Sequence, residues 1–380
     1  MSNKINVLWS TSLDLSGYSN SARNFVKALY QDENFQSNIH IKTISGNIDK
    51  RGISQEDIDF FYGISSNDIM NKDNIFIQHN IPDRMVYFKN KKNIIYTFCE
   101  VGFTRNQVYN LNKCDLIFTC SDFSKQKMIE SGVDISKLYI VPLCYDNNIW
   151  NKEVKPLKIN NLKSYNFLFM ADYTPRKGGD LLIRNYLKAF KGNKDVSLTI
   201  KAYYSGFNNK DVNKLINRVN AIIENYGIEK SDMPAIYFYS GFIKEELMPN
   251  FMASFDCLVS PHKAEGWGLS ISQMMSLGKS VIATKYSGNL EFMDDQCSYL
   301  IDIDGMGKVC DEMVLINKNF KDKEWAVINE KDLRDKMIYV YHNRKDAEER
   351  SLIAYNNMKK YRYKNISQKI YEIFLKEGIE

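Results

Sequence analysis

The chain lacks the features of a membrane or secreted protein. None of its 380 residues belongs to an apolar run near the roughly 18 residues that a membrane helix needs, and only a short apolar run follows Lys4. We therefore expect neither a membrane span nor an export signal. The seven cysteines are odd in number and form no Cys-x-x-Cys pair, which predicts reduced core thiols in a cytoplasmic protein.

Strong charge of either sign is also absent. The 51 basic and 46 acidic residues give a formal charge of +5, which permits anionic substrates or an acidic membrane surface but does not indicate a dedicated nucleic-acid binder. Hydrophobic residues make up 44% and charged residues 26%, as in soluble globular proteins. A chain of this length is too long for one ordinary core and predicts two domains.

Short apolar runs alternate with amphipathic segments along the whole chain. This alternation predicts parallel, doubly wound sheets. Residues 151–164 are polar and lysine-rich, and they mark a domain boundary. The predicted strands are Ile5 to Ser10, Ile39 to Ile44, Ile75 to Gln78, Ile94 to Phe98, Leu116 to Cys120, Leu138 to Pro142, Asn166 to Met170, Ser197 to Ala202, Ile236 to Tyr239, Cys257 to Ser260 and Ser280 to Ala283.

The predicted fold class is therefore α/β, with two Rossmann-like, doubly wound parallel-sheet domains that face each other across a cleft. We assign residues 1–155 to the first domain, residues 165–350 to the second, and residues 351–380 to a C-terminal helix that crosses back to the first. A ligand is expected in the cleft, beyond the carboxyl ends of the strands.

The most informative segment is the loop that follows the predicted strand ending at Ser260. Gly266 and Gly268 leave backbone amides open before a helix that starts near Leu269, which is an arrangement that binds anions. Glu265 stands at the tip of the loop. Tyr286-Ser287-Gly288 follows the next strand, so two strand ends converge on one crevice.

A second polar turn, Arg176-Lys177-Gly178-Gly179, follows the first strand of the second domain and precedes a helix. Two cations beside a helix N-terminus favour a diphosphate. Taken alone, such a turn is as readily a solvated basic surface, and the Glu265 loop in the same domain is what favours the binding interpretation.

Together these motifs resemble the large retaining glycosyltransferase family 4, whose members have the two-domain GT-B fold. The resemblance rests chiefly on the C-terminal half, and weaker matches in the N-terminal half extend it over nearly the whole chain. The C-terminal matches are Arg176-Lys177-Gly178, Glu265-Gly266-Trp267-Gly268-Leu269, Gly278 to Thr284, Tyr286-Ser287-Gly288-Asn289, and Glu291-Phe292; the N-terminal ones are Glu100, Cys120 to Phe123, Ser131 to Val133, and Val141-Pro142 with Asp146.

The resemblance implies a metal-independent transfer of a hexose from a UDP- or GDP-linked sugar to a glycan or glycolipid hydroxyl. In the implied front-face mechanism the acceptor attacks from the side of the leaving group, and no protein nucleophile is needed. No cofactor is expected. The residues that this assigns to catalysis are His79, Glu265, Arg176 and Lys177.

The same resemblance assigns the donor and acceptor contacts. Family members commonly have a second glutamate eight positions after the first, and here that position is Gln273, which makes weaker neutral hydrogen bonds and puts the donor in question. Glu100 is the acceptor-binding residue. The donor-binding residues are Gly17, Arg176, Lys177, His262, Glu265, Gly266, Trp267, Gly268, Leu269 and Gln273.

Several of these residues have an equally simple structural interpretation. A lone histidine at a strand end, as His79 and His262 are, is often a satisfied structural residue. Trp267 is as well explained by packing beneath the loop, and Glu100 by a surface carboxylate. Asp302-Ile303-Asp304 has the spacing of a metal-binding Asp-x-Asp motif, but it lies after the donor cluster in an expected surface loop, so we predict no metal site.

Two alternative functions remain open from the sequence. The first is a transferase of the same chemistry that glycosylates hydroxymethylated bases of DNA; the second is a non-catalytic protein of the same fold that binds sugar nucleotides. Two basic stretches, 89–92 and 359–364, are interpreted as solvated faces; the alternative for the second is binding of lipid headgroups, or of nucleic acid by phosphate contact and stacking. We expect the protein in the cytoplasm, with peripheral contact to the inner membrane face as a variant of that location.

Overall fold

The structure is a computed structural model, and it describes residues 5–14, 16–35, 39–43, 52–65, 75–203, 209–239 and 241–379. The chain divides into two compact units. The first unit contains Met1–Ile149, Ile243–Glu246 and Lys359–Glu380, and the second contains Trp150–Phe242 and Leu247–Met358. Among the helices of the described residues, none has the length and apolarity required to cross a bilayer.

The first unit is built on a six-stranded parallel sheet. Its strands lie in the order β2-β1-β3-β4-β5-β6. Strands that are covered on both faces read as continuous apolar runs, and for this reason the sequence locates them well. The strands are β1 (Val7–Thr11), β2 (Ile39–Thr43), β3 (Ile75–His79), β4 (Lys92–Tyr96), β5 (Leu116–Thr119) and β6 (Leu138–Ile140).

Helices connect these strands, and polar side chains set where they begin. The Ser16 hydroxyl caps the first of them by accepting from the Ser19 amide at 3.2 Å. Thr104 and Gln107 form a reciprocal capping box at the start of the third. The helices are α1 (Gly17–Gln31), α2 (Gln55–Gly63), α3 (Arg105–Leu111) and α4 (Asp122–Glu130).

The second unit repeats this architecture. Its parallel sheet has the order β12-β11-β10-β7-β8-β9. The strands of the sheet are β7 (Tyr165–Asp172), β8 (Val196–Tyr203), β9 (Ala235–Phe238), β10 (Cys257–Ser260), β11 (Ser280–Thr284) and β12 (Tyr299–Ile301). An antiparallel hairpin of β13 (Ile303–Lys308) and β14 (Glu324–Ile328) follows it. The core of this unit is formed by buried aliphatic and aromatic side chains of the sheet and of the helices packed on it.

The helices of the second unit lie between and after these strands. They are α5 (Gly179–Ala189), α6 (Asn209–Tyr226), α7 (Met248–Ala253), α8 (Leu269–Ser276), α9 (Asp311–Ile316), α10 (Glu330–His342) and α11 (Arg344–Met358). Short 3-10 turns at Pro175–Lys177 and Gly288–Glu291 follow the carboxyl ends of β7 and β11.

The last helix, α12 (Tyr363–Lys376), belongs to the first unit and packs on α1. Its apolar face, predicted from the spacing of Ile366, Ile370, Ile373 and Phe374, is buried. The Phe374 ring lies 6.0 Å from the ring of Phe35. Burial of one such side chain stabilises a fold by about 1.5–3 kcal/mol, so this face is sufficient to hold the helix in place.

The prediction of a surface loop at Asp302-Ile303-Asp304 is wrong, because Ile303 and Asp304 begin β13. The strand is short and includes Gly305 and Gly307, which hides it from apolar periodicity. Asp304 accepts a hydrogen bond from the Asn329 side chain at 2.7 Å. Within the described ranges, no group of three or more His, Cys, Asp or Glu side chains could hold a metal ion.

Candidate functional site

The order of the second sheet creates a crevice between β7 and β10. These strands are neighbours, but the chain continues from β7 to β8 on one side and from β10 to β11 on the other. Loops that leave such a switch point diverge, and ligands of open α/β sheets bind where they diverge. The turn Pro175–Lys177 follows β7, and the loop 261–268 follows β10.

Three charged side chains from these two loops meet at the crevice. The Lys177 ammonium forms an ion pair with the Glu265 carboxylate. Arg176 Nη1 lies 3.4 Å from Glu265 Oε2 and donates to the Ala264 carbonyl oxygen at 2.8 Å. Asp172, the last residue of β7, approaches Lys177 Nζ at 3.8 Å. The two cations therefore face two carboxylates in the free protein.

Glu265 is a permanently ionised group at this position. Its side chain is nearly buried, and burial alone would raise its pKa. The charges of Lys177 and Arg176 outweigh that effect and lower the pKa to about 2. A carboxylate in this state accepts hydrogen bonds from hydroxyl groups, and it is a poor proton donor at neutral pH.

The turn Pro175–Lys177 and the loop 261–268 lie so close together that their contact leaves no room for a side chain at Gly178. Gly178 has a φ of 75°, in the left-handed region that favours glycine, and a Cβ built there would lie 2.2 Å from the Pro261 carbonyl oxygen. The Lys263 amide donates to the Arg176 carbonyl oxygen at 2.8 Å. The two loops that carry the charged groups are thus bound directly to each other.

His262 organises the loop from within. It is fully buried, and Nε2 lies 3.0 Å from Asn289 Oδ1. Because the Asn289 amide nitrogen donates to the Thr284 carbonyl at 2.9 Å, Oδ1 is its acceptor, so Nε2 carries the proton. Nδ1 then accepts from Ser260 Oγ at 3.2 Å. Burial lowers the pKa of His262, and the neutral ring joins the ends of β10 and β11.

The rest of the predicted donor-binding segment surrounds the start of α8. Gly266 and Trp267 are buried, and the Trp267 ring packs on Phe292 at 4.7 Å while Nε1 donates to Ser272 Oγ at 3.1 Å. Gly268 is the N-cap of α8 and supplies no side-chain acceptor, and Leu269 is the first helical residue. The amides of the first turn therefore have no side-chain cap.

Gln273 lies on α8 and is 9% exposed. Its side-chain amide has no hydrogen-bond partner among the described residues. Neither polar atom of this side chain is fully shielded from solvent, so the amide is open to hydrogen bonding with a ligand.

His79 occupies the corresponding position in the first unit. It ends β3, which lies beside β1 at the switch point of that sheet. Ser21 Oγ donates to the Tyr18 carbonyl at 2.8 Å, so His79 Nε2 donates to Ser21 Oγ at 3.0 Å. The ring stacks on Tyr96 at 4.5 Å. Burial lowers the His79 pKa to about 3, and the imidazole is neutral with Nδ1 unprotonated.

The two other predicted residues of the first unit lie beyond the ends of its strands. Gly17 is exposed at the beginning of α1, after the Ser16 cap. Glu100 is partly buried in the loop that follows β4. The structure thus groups Arg176, Lys177 and Glu265 in one unit, and places Gly17, His79 and Glu100 in the other.

Three residues of the site had no role in the predicted set. Asp172 pairs with Lys177, Ser287 Oγ accepts from the Glu265 amide at 2.9 Å, and Asn289 binds His262. Ser287 has a φ of 82°, which is unusual for a residue other than glycine. The Tyr-Ser-Gly-Asn segment after β11 was a sequence signal for the last two, whereas nothing marked Asp172 as a partner.

Comparison with known proteins agrees with this geometry. Residues 152–303, which include the whole charged cluster, match the protein family described as glycosyl transferases group 1. The O-antigen biosynthesis glycosyltransferase WclY of Escherichia coli is 25% identical over 226 residues, which are 58% of this chain and 55% of WclY. The chain therefore spans about half the length of that curated relative.

Solved structures match over almost the whole chain. Anabaena HepE, solved in complex with UDP-glucose, superposes with a TM-score of 0.71 at 12% identity and covers 98% of this chain and 100% of its own. A glycosyltransferase from Rickettsia africae gives 0.67 at 15% identity, with 98% of each chain covered. The predicted fold class, two Rossmann-like parallel-sheet domains of the GT-B type, is confirmed.

Proposed function

We propose that the protein is a retaining glycosyltransferase that moves a hexose from a UDP- or GDP-linked sugar to a hydroxyl group of a glycan or glycolipid. The observation that carries the proposal is the cluster of Arg176, Lys177 and Glu265 at the switch point of the second sheet. This cluster lies within the region that matches glycosyl transferases group 1.

The diphosphate of the donor would bind the two cations. Cleavage of the bond between the sugar and the phosphate leaves negative charge on the diphosphate, and preorganised cations lower the barrier to that step. In the free protein, Lys177 is paired with Glu265 and lies near Asp172. An incoming diphosphate therefore competes with these carboxylates for Lys177, and the uncapped amides at the start of α8 supply further donors.

Glu265 would then bind the sugar. When the diphosphate takes over Lys177, the carboxylate keeps Arg176 nearby and gains free lone pairs. Its depressed pKa ensures that it accepts hydrogen bonds from sugar hydroxyls over the physiological pH range. Binding of the donor thus breaks the ion pair between Lys177 and Glu265. It replaces that pair with a contact of Lys177 to the diphosphate and a contact of Glu265 to the sugar.

Gln273 would contact the ribose of the nucleotide. Its amide reaches solvent and has no partner among the described residues, so it can bind ribose hydroxyls. A neutral amide makes weaker hydrogen bonds than a carboxylate by roughly a factor of two. We therefore expect Gln273→Glu to bind the nucleotide more tightly than the natural chain does.

The transfer itself would proceed on one face of the sugar. The bond from the anomeric carbon to the phosphate oxygen breaks, the acceptor oxygen forms a bond to the same carbon from the same side, and the acceptor proton passes to a phosphate oxygen. The nucleoside diphosphate is the leaving group. No side chain forms a covalent intermediate, and the charge is balanced by Arg176 and Lys177, which is why we propose that no metal is needed.

Two of the three predicted residues of the first unit, His79 and Glu100, have narrower roles in this proposal. His79 is neutral and donates through Nε2 to Ser21, so only Nδ1 is available to accept a hydrogen bond from a sugar hydroxyl. A role as a base that cycles through imidazolium is disfavoured by its pKa of about 3. Glu100 is proposed to orient the acceptor hydroxyl.

The choice of donor and acceptor is supported by the similar proteins. HepE has been solved with UDP-glucose, and WclY acts in O-antigen biosynthesis. We therefore propose a UDP-sugar as the first donor to examine, ahead of GDP-sugars, and a polysaccharide or lipid-linked glycan as the acceptor class.

The test is release of nucleotide from a panel of UDP-, GDP- and ADP-sugars, with and without EDTA. We expect slow release from one donor, insensitive to EDTA and lost in Glu265→Ala and Lys177→Gln. Lys230→Gln is a matched control, because this exposed lysine lies in the same unit and removes the same charge. Binding of nucleotide without release, also in the presence of lipid-linked glycans, would favour a non-catalytic sugar-nucleotide-binding protein.

The retaining outcome has its own readout. Proton NMR of the fresh product gives the coupling constant of the anomeric proton, which differs between α and β linkages. An α-linked donor should give an α-linked product. A β-linked product would show inversion and contradict the front-face route.

We also propose that the first unit contacts an acidic membrane surface through the loop before β4. Residues 84–92 contain Arg84, Lys89, Lys91 and Lys92 and no acidic residue. Val86 and Tyr87 are 52% and 51% exposed. The loop is held rigidly, since the buried Gln78 side chain donates to the Val86 carbonyl at 2.8 Å and accepts from its amide at 2.9 Å.

Such a loop suits the boundary between water and anionic lipid. Each cation near an acidic surface contributes about 1 kcal/mol, and interfacial tyrosine adds apolar contact. Co-sedimentation with vesicles of phosphatidylglycerol and phosphatidylcholine should detect binding that Tyr87→Ser and Lys89→Gln weaken. Ile135→Ser removes an equally exposed apolar side chain of the same unit and should leave binding unchanged. Equal loss in all three variants would contradict a specific contact.

A further inference from the structure

A cavity in the second unit lies apart from the proposed donor site. It has a volume of about 160 Å³, is partly open to solvent, and is lined by the turn 173–175, the beginning of α5 with the exposed Arg184, and side chains from α6, α9 and the loop after β10. Since water occupies about 30 Å³ per molecule in the liquid, the cavity has room for a small ion with its hydration. Arg176, Lys177, His262 and Glu265 do not line it.

The carboxylates that line the cavity are already satisfied. Arg218 binds Asp180 through Nε at 2.9 Å and through Nη2 at 2.6 Å, and it binds Glu312 through Nη1 at 2.5 Å and Nη2 at 3.1 Å. Tyr173 also donates to Asp180 at 2.6 Å. A single guanidinium thus makes the close ion pairs of both acidic side chains.

Two cations of the lining have no such partner. No carboxylate of the described ranges lies within ion-pair distance of Arg184 or Lys263. The Lys263 ammonium lies over the Trp325 ring at 4.4 Å, which orders the side chain but leaves its donors without an acceptor. Burial is the largest influence on the Lys263 pKa and lowers it; the charge of Arg184 also lowers it, whereas Cys310, Asp180 and Glu312 act in the opposite direction.

We propose that this cavity is a second anion site, with Arg184 and Lys263 as its ligands and a phosphate group as its occupant. A guanidinium and an ammonium from different elements, with an ordered aromatic ring beneath the ammonium, match the donor requirements of a tetrahedral oxyanion. A phosphate would also offset the repulsion between the two cations. The occupant is either inorganic phosphate or a small phosphate monoester.

The site is connected to the donor turn but does not depend on it. The Lys263 amide donates to the Arg176 carbonyl, and the Lys263 carbonyl accepts from Ala326 at 3.0 Å, so the backbone of this residue is fixed. The side chain alone is free to respond to an anion. The proposal therefore stands whether or not the Glu265 cluster binds a nucleotide sugar.

The experiment measures phosphate binding by equilibrium dialysis with the full chain in the Lys177→Gln background, in which phosphate binding at the donor turn is weakened. We expect one saturable site, and about tenfold or greater loss of affinity in Arg184→Gln and in Lys263→Gln, since a charged hydrogen bond lost is worth that factor. Glycerol 3-phosphate is measured beside inorganic phosphate, and tighter binding of either one identifies the source.

Lys188→Gln is the matched control. Lys188 is exposed on α5, one turn after Arg184, and the change removes the same charge from the same helix. We expect the phosphate affinity of Lys188→Gln to change by less than about twofold, because Lys188 does not line the cavity. Absence of saturable binding, or equal losses for Arg184→Gln and Lys188→Gln, would overturn the proposal. Failure of the chain to bind UDP would leave this result unaffected.

Discussion

The Cα of Gly288 lies directly against the backbone of Gly266: a Cβ built on Gly288 would be 1.8 Å from the Gly266 carbonyl oxygen. The Gly288 amide also donates to the Glu265 carbonyl at 2.9 Å. The segment after β11 therefore supports the Glu265 loop through direct backbone contact, in addition to the Ser287 hydroxyl that accepts from the Glu265 amide. Any side chain at this position must push the two segments apart.

We predict that Gly288→Ala destabilises the chain by at least about 2 kcal/mol and abolishes binding at the Glu265 cluster, because the clash is with backbone and cannot be relieved by a rotamer change. Urea denaturation gives the change in free energy of unfolding. Gly63→Ala is the control, since a Cβ there meets no atom within 4 Å. If both variants unfold at the same urea concentration, the close approach described above is incorrect.

The acid dependence of stability should report on Glu265. Its pKa falls from an ordinary 4.5 to about 2 on folding, so its ionised form contributes stability that is complete above about pH 4.5 and is lost as the pH falls toward 2. The difference in unfolding free energy between the natural chain and Glu265→Gln should therefore be largest above pH 5 and should narrow toward pH 3.

Glu348→Gln is the reference for that series, because Glu348 is exposed and its charge is not part of the cluster. The free energy of unfolding of Glu348→Gln should change with pH in parallel with that of the natural chain. A gap for Glu265→Gln that stays constant from pH 7 to pH 3 would mean that the carboxylate is not held ionised by Lys177 and Arg176.

How much of this could be predicted from the sequence differs between backbone and side chains. The strand positions of the two parallel sheets were predictable except for the three-residue β12 (Tyr299–Ile301), because strands buried on both faces leave continuous apolar runs such as Val7–Thr11. The hairpin β13–β14 was not, because Ile303–Lys308 has two glycines and an exposed face.

The site divides in the same way. The sequence placed Arg176, Lys177 and Glu265 after predicted parallel strands. The carboxyl ends of such strands share one edge of the sheet, so the grouping of these residues follows from the topology. It gave no indication that Asp172 approaches Lys177, since this distance depends on the turn Pro175–Lys177. The protonation states of His79 and His262 also depend on tertiary burial and on partners far along the chain.

His79 should remain neutral through the physiological range. Burial holds its pKa at about 3 against an ordinary 6.5, so protonation of His79 opposes folding. The free energy of unfolding should therefore fall as the pH drops from about 6.5 toward 3. In NMR spectra, the imidazole shifts of His79, assigned by comparison with His79→Gln, should not titrate between pH 8 and pH 5. A His79 midpoint between pH 6 and pH 7 would contradict the buried, unprotonated ring.

The most direct test of the central claim is calorimetric titration of the natural chain, Lys177→Gln, Lys230→Gln and Gln273→Glu with UDP and UDP-glucose. The account predicts one site, a loss of about tenfold or more in Lys177→Gln, no change in Lys230→Gln, and tighter binding in Gln273→Glu. Affinities that are equal in all four chains would show that the nucleotide does not bind at the Glu265 cluster, and the proposed function would then be wrong.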